Sequence, residues 1–225
     1  MSADFSRPLL AVDTSTSYLS LALCADGQTV LHHTDAGNKQ SEHILPVIGN
    51  LLAECGISAA DLGTVVYAQG PGAFTGLRIG AAVAQGLAAP FGTPLIGIPC
   101  LDVIAAQIRA PLVLAAADAR MGEVFYAWLD TENFRRLSGY QVGRAAEICV
   151  PQGFEDQAVR GIGNAFALAD KPPFDGSPEM PTAEDYIKLA QSGRYPAVSA
   201  AEAELLYVRN KIALTAREQA ERKGL

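Results

Sequence analysis

The chain has 225 residues, 49% of them hydrophobic and 18% charged, with a formal net charge of -7. This length allows one large core or two of roughly 100 residues each, and the composition excludes a disordered chain. The acidic balance excludes a general nucleic-acid footprint, which needs many Lys and Arg; it leaves open a local basic patch or a partner that holds the nucleic acid.

Residues 9–12 read as a short apolar strand ending in Asp13-Thr14-Ser15-Thr16. Residues 19–23 alternate as a half-buried strand does, Asp26-Gly27 signals a hairpin turn, and a strand at 29–33 is expected to pair with the second. Ser41 is expected to cap a helix over 42–55 whose apolar face carries Ile44, Leu45, Ile48, Leu51 and Leu52, with Gly56 ending it. A strand at 61–68 leads into the loop Gly70-Pro71-Gly72-Ala73-Phe74-Thr75-Gly76-Leu77-Arg78-Ile79-Gly80, which opens a helix running to Ala89. Pro90 and Gly92 stop that helix. A strand at 95–98 and a helix at 101–108 follow.

The pattern then restarts. Pro8-Leu9-Leu10-Ala11-Val12-Asp13 has an echo in Pro111-Leu112-Val113-Leu114-Ala115-Ala116-Ala117-Asp118, followed by a turn at 119–122 and a strand at 123–129. In both halves an apolar strand delivers a carboxylate to a turn and a hairpin partner returns beside it. Duplication is expected, with a boundary near 106–111 and domains at 1–108 and 109–225. The second half is looser: a strand or two within 132–152, a strand entering a Gly-rich turn at 159–164, a proline-rich surface loop at 171–181 and a helix at 182–192. Leu206, Ile212 and Leu214 are expected to anchor a last helix that packs back on the first domain.

Asp13 sits where ligands of open α/β sheets gather. Either it orients a phosphate-bound metal with Thr14 and Ser15 nearby, or it accepts backbone N–H bonds within a turn. Asp118, Gly161 and Gly163 complete a weak set of nucleotide-binding candidates. The glycine loop lacks the Gly-Lys-Ser/Thr of a Walker phosphate loop and the strand context of a dinucleotide fingerprint. Two readings stand: an anion seat at a helix start, with Arg78 assisting, or a close-packed joint. Gly76, Gly80, Ala84 and Ala88 recur every four residues and line one side of the helix. Each internal glycine costs ~1 kcal/mol relative to alanine, a cost that close approach of another backbone offsets. That backbone belongs either to the protein's own sheet or to a partner chain.

His32 and His33 point to opposite faces of a strand, and His43 has no histidine three or four residues away, so no metal site is expected. No Gly-x-Ser-x-Gly elbow appears, and no thiol has an obvious histidine partner. Cys24, Cys55, Cys100 and Cys149 stand singly, as buried free thiols in a reducing compartment would. With no secretion-signal core and no run near ~20 apolar residues, the chain is expected to be cytoplasmic, with no membrane partner.

The motifs Leu10-Ala11-Val12-Asp13-Thr14-Ser15, Ser41-Glu42-His43-Ile44-Leu45-Pro46, the glycine loop, residues 118–126 and Tyr207-Val208-Arg209 together resemble the bacterial TsaB family, also called YeaZ. The resemblance covers nearly the whole chain and is strongest in the first 130 residues. It implies an α/β fold of two tandem RNase-H-like domains of the actin/Hsp70/sugar-kinase class, each a mixed sheet with helices, the second smaller or degenerate. It also implies a non-catalytic partner in making threonylcarbamoyladenosine beside the anticodon of tRNAs that read codons beginning with A. The partners implied are a TsaD-type transferase, which it activates, and a TsaE-type ATPase; alone it would form a homodimer through an overlapping surface. This chain would need no cofactor of its own, ATP being used by the wider complex, and tRNA would be met only through that complex. His43 stands without the ligand pair of the metal-binding transferase, and no protease site supports the peptidase names once given to the family. The docking face is expected on the two first-domain helices, at His43, Ile44, Val47 and Leu51 and at Gly76, Ile79, Gly80, Val83, Ala84 and Leu87. The competing readings are an ATP-dependent phosphotransferase, with nucleotide between the halves at Asp13, Asp118 and residues 161–163, and a sheet-dimer scaffold outside RNA modification.

Overall fold

Leu9–Asp13 (β1) is buried at every position, as an apolar strand covered on both faces must be. The computed structural model describes residues 1–208. Around β1 the chain builds a five-stranded sheet from β2 (Tyr18–Ala25), β3 (Gln28–Asp35), β4 (Thr64–Gly70) and β5 (Leu95–Pro99), in the order β3-β2-β1-β4-β5. β1 runs antiparallel to β2 and parallel to β4. Asp26 and Gly27 both adopt positive φ (50° and 76°) in the β2–β3 turn, the twist that a two-residue hairpin requires.

A second sheet repeats the plan. β6 (Val113–Arg120), β7 (Glu123–Asp130), β8 (Arg135–Arg136), β10 (Arg160–Ile162) and β11 (Gly176–Ser177) are ordered β11-β10-β6-β7-β8, and β9 (Gln141–Gly143) also pairs with β7. β6 is antiparallel to β7 and parallel to β10, as β1 is to β2 and β4. The echo between Asp13 and Asp118 is thus an echo of topology. The chain has two tandem RNase-H-like units, the second reduced. Helices of the first unit are replaced on its outer face by short 3-10 turns at Ala145–Glu147 and Asn164–Ala167 and by loops around Trp128.

Alternation along β1 divides two cores. Leu10 and Val12 pack with α1 (Gln40–Glu54) and α2 (Phe74–Ala88); Leu9 and Ala11 pack with α3 (Cys100–Ala106) and α4 (Ala183–Ala190). Ile44, Ile48, Leu51 and Leu52 turn one α1 face inward, each worth about 1.5–3 kcal/mol of burial. α3 lies between the sheets, giving Val103 to the first and Leu101, Ile104 and Ala105 to the second.

Four expectations need correction. Ser41 is not the α1 cap: the helix begins at Gln40 after Lys39, without a side-chain cap, and the Gln40 amide instead donates to Thr16 O and Tyr18 O at 2.7 and 2.9 Å. The chain also returns to the first sheet earlier than a boundary near residue 109 implies. Tyr186 and Ile187 of α4 join the β1 core, the Ala183 amide donates to Ser20 Oγ at 2.8 Å, and Val198 bridges to Leu95. Leu206 lies in an irregular segment with its amide on Gln69 O, whereas Ile212 and Leu214 lie outside the described residues. Only Cys100 of the four free thiols is buried; Cys24 and Cys55 are half-buried and Cys149 is exposed. Among the described residues no helix is long and apolar enough to cross a membrane.

Candidate functional site

Three pieces of the first unit meet at the carboxyl end of β1: the Asp13–Ser15 turn, the glycine loop and the start of α2. Gly70, at φ +108°, turns the chain out of β4. The Ala73 amide donates to Ser15 O at 2.7 Å, and Thr14 Oγ1 donates to Gly76 O at 2.8 Å. A Cβ on Gly72 would sit 2.7 Å from Ser15 O, one on Gly76 would strike the Thr14 carbonyl, and one on Gly80 would strike Thr14 Oγ1. Glycine is required because the β1–β2 turn lies directly on the helix.

This answers the choice left open by the sequence. The stripe packs on the protein's own sheet: Gly76, Gly80, Ala84 and Ala88 are all buried. Ile44 and Leu51 are buried as well, beneath α1. These five expected docking residues, Ile44, Leu51, Gly76, Gly80 and Ala84, are core, because small side chains draw α2 onto β1 and large ones seal α1 over it.

The other expected docking residues remain accessible. His43 is exposed, and Val47, Ile79, Val83 and Leu87 are half-buried along the outer flanks of α1 and α2. The sequence reading missed their neighbours. Leu45, expected on the apolar face of α1 with Ile44, is instead 58% exposed, and Pro46, Gly49, Ala82 and Gly86 also face outward. Among the described residues, a Cβ on Gly49 or Gly86 would meet nothing within 4 Å. A signal for Leu45 existed, since Ile44, Ile48, Leu51 and Leu52 already complete an inward helical face without it.

At the edge of this surface Phe74 and Tyr207 are both exposed, with ring centroids 5.7 Å apart. The Arg78 guanidinium lies 3.9 Å from the Phe74 centroid and Nε donates to the Tyr207 hydroxyl at 3.3 Å. Beside them a groove of about 430 Å³ runs between α2 and the strap containing Ala203, Glu204 and Leu205. The strap is held by Gln85, which donates to Ala200 O, and by the Tyr67 hydroxyl, which donates to Glu204 O at 2.9 Å.

The carboxylates of the two turns differ. Asp13 is 7% exposed and accepts the Ser15 amide at 2.8 Å; burial pushes its carboxyl above the usual range, against the Ser15 hydrogen bonds and the nearby His33. Cys100 shares its surroundings, its thiol pushed up to about 12 by burial and by the Asp13 charge. The Tyr186 hydroxyl is buried there without a hydrogen-bond partner among the described residues. Asp118 is more open: it accepts the Arg120 amide at 2.7 Å and pairs with its guanidinium at 3.3 Å. Its own amide donates to Asn164 Oδ1 at 2.8 Å. The structure therefore brings Asp118 beside the Gly-rich turn, and among the described residues no hydrogen bond or ion pair joins Asp13 to it. Gly161 lies under the Phe166 ring and Gly163 against the Ala116 carbonyl, so both glycines serve close packing. Among the described residues no group of three or more His, Cys, Asp or Glu is placed to hold a metal ion.

Comparison with known proteins adds to this geometry. A family model described as TsaD, tRNA N6-adenosine threonylcarbamoyltransferase, matches residues 31–171. The chain is 34% identical to the tRNA threonylcarbamoyladenosine biosynthesis protein TsaB of Escherichia coli (strain K12), over 91% of this chain and 96% of that protein. It is 32% identical to the protein of the same name from Haemophilus influenzae, over 91% and 94% of the respective chains. Among solved structures it is similar to YeaZ from Pseudomonas aeruginosa, with a TM-score of 0.78 and 31% identity over 89% of this chain and 99% of that one.

Proposed function

The chain belongs to the TsaB (YeaZ) family, and from that membership we propose that it is a non-catalytic subunit of the cytoplasmic machinery that makes threonylcarbamoyladenosine on tRNA. It docks on a TsaD-type transferase through the outer flanks of α1 and α2 and thereby activates it. A TsaE-type ATPase joins the assembly, tRNA is met only there, and the isolated chain pairs with itself through an overlapping surface.

One observation carries this reading. Gly49 and Gly86 stand inside helices where a Cβ would meet nothing within 4 Å among the described residues, beside exposed Leu45, Pro46 and Ala82. Each such glycine costs ~1 kcal/mol of helix stability with no contact among the described residues to require it. A second chain's backbone against this face supplies the missing reason. With Val47, Ile79, Val83 and Leu87 at its floor, the face has the mixed apolar core from which a specific interface of several hundred Å² per side is built. Burial of Asp13 weighs against the phosphotransferase reading, which needs that carboxylate at an open cleft.

Activation then works by population shift: the subunit binds the competent arrangement of the transferase better than other arrangements. The test combines the purified chain with a TsaD-type transferase, measuring co-elution and threonylcarbamoylation of tRNA. Gly86→Arg and Leu45→Glu should abolish both while thermal melting of the isolated chain is preserved. Normal modification with either well-folded variant, or without this chain, would overturn the reading.

A further inference from the structure

We propose that the cleft between the two sheet units is a binding site for a small phosphate-bearing anion. The cleft has a volume of about 540 Å³, within the range of small-molecule sites. Four of the chain's seventeen basic residues line it, Arg109, Arg135, Arg136 and Arg194. On a chain of net charge -7 that is a local reversal of sign.

Two carboxylates also line the cleft, and each pairs with one of its arginines. Asp102 accepts from Arg136 at 2.9 Å, from the Tyr140 hydroxyl at 2.7 Å and from the Tyr195 hydroxyl at 3.0 Å. Asp130 accepts the Asn133 amide and side chain at 3.0 and 2.9 Å, and its contact to the Arg135 guanidinium is a loose 3.8 Å. Arg136 is therefore held in place by Asp102 and Arg135 is loosely paired with Asp130, whereas Arg194 makes no ion pair among the described residues. Arg194 lies 3.6 Å above the exposed Phe134 ring, which fixes its guanidinium plane without taking its hydrogen-bond donors. Arg109 makes no hydrogen bond or ion pair among the described residues. Guanidinium forks match phosphate oxygens in pairs, so several around one concavity favour a phosphate group over a simple halide. The α3 carboxyl end, whose dipole would oppose an anion, is partly quenched: Gln107 donates to Ile104 O and Thr131 to Ile108 O.

The cleft is separate from the Asp13 and Asp118 turns. Leu129, which lines it, pairs with Val113, whereas Asp118 pairs with Val124. The two places lie at opposite ends of β6, about 16 Å apart at ~3.3 Å per residue. The size of the concavity favours a small organic phosphate over a tracked RNA backbone, and Phe134 and Tyr195 offer ring faces for a planar group.

Titration calorimetry of the full chain with pyrophosphate tests this. Saturable binding is expected, weakened about tenfold or more for each of Arg109→Gln and Arg194→Gln, the scale of losing one charge-assisted contact. Asp118→Asn should leave it unchanged. Arg109 is exposed and makes no hydrogen bond or ion pair among the described residues, so its variant keeps the fold even where others do not. Absence of binding, undiminished binding by both arginine variants, loss with Asp118→Asn, or binding of a short oligoribonucleotide where pyrophosphate fails to bind would each overturn the proposal. None of these outcomes bears on whether the chain docks through α1 and α2.

Discussion

The hydroxyl of Thr14 donates to the carbonyl of Gly76 at 2.8 Å, binding the first turn of the protein to the glycine helix 62 residues later. Two sequence motifs are in effect one structural joint, and its tightness separates the glycines of this chain into two kinds.

Gly76→Ala places a methyl against the Thr14 carbonyl and Gly80→Val places a branched side chain against Thr14 Oγ1. Each should cost about 1–3 kcal/mol through overpacking, read as a lower midpoint in urea. Gly49→Ala and Gly86→Ala meet open space and should stabilise by about 0.5–1 kcal/mol through helix propensity. A destabilised Gly86→Ala would show that α2 is constrained there by something within the chain. Bulky residues at Gly80 or Ala84 consequently test folding, and the proposed docking face has to be probed at Leu45 or Gly86.

Asp13 gives stability a pH signature. Burial raises its folded-state affinity for a proton above the model value of 3.8, so the folded chain binds more protons than the unfolded one as pH rises past that value. The penalty is absent below 3.8, grows with pH and is complete above the raised folded value. Asp13→Asn keeps an acceptor for the Ser15 amide and should raise the melting temperature at pH 7, with the gain shrinking toward pH 4. A gain that is constant across this range would assign the effect to packing.

Asp102 joins three elements through Arg136 on β8, Tyr140 before β9 and Tyr195 after α4. Asp102→Ala leaves these donors unsatisfied and should cost about 3 kcal/mol or more. Tyr195→Phe, which removes one hydroxyl, should cost about 1 kcal/mol. Chemical denaturation of the two variants measures the difference; equal costs would mean that Asp102 acts through Tyr195 alone.

The thiols should react unequally. Cys149 is exposed, while Cys100 is buried and its thiol is pushed up to about 12. Brief alkylation at pH 8 followed by mass spectrometry should label Cys149 first and spare Cys100 until denaturant is added. Early labelling of Cys100 would indicate that α4 opens readily from the first sheet.

The β2–β3 hairpin, the inward face of α1, the α2 boundaries and the repeat of strand, carboxylate and turn were all readable in the sequence. Each is set by local chemistry: positive φ at Asp26-Gly27, the spacing of Ile44, Ile48 and Leu51, and Pro90 with Gly92 after α2. Membership of the TsaB family was readable too, on the motifs at residues 10–15, 41–46, 70–80 and 118–126. What covered the small-residue stripe was not, because a helix face of glycine and alanine satisfies its own sheet and a foreign helix equally well until the position of Thr14 is known. The α1 start was misread for a similar reason: Ser41 has the chemistry of a cap, but Gln40 found two carbonyls in the β1–β2 turn. Return of α4 to the first sheet and convergence of four arginines on one cleft were likewise decided by tertiary packing, since both join residues that local periodicity cannot relate.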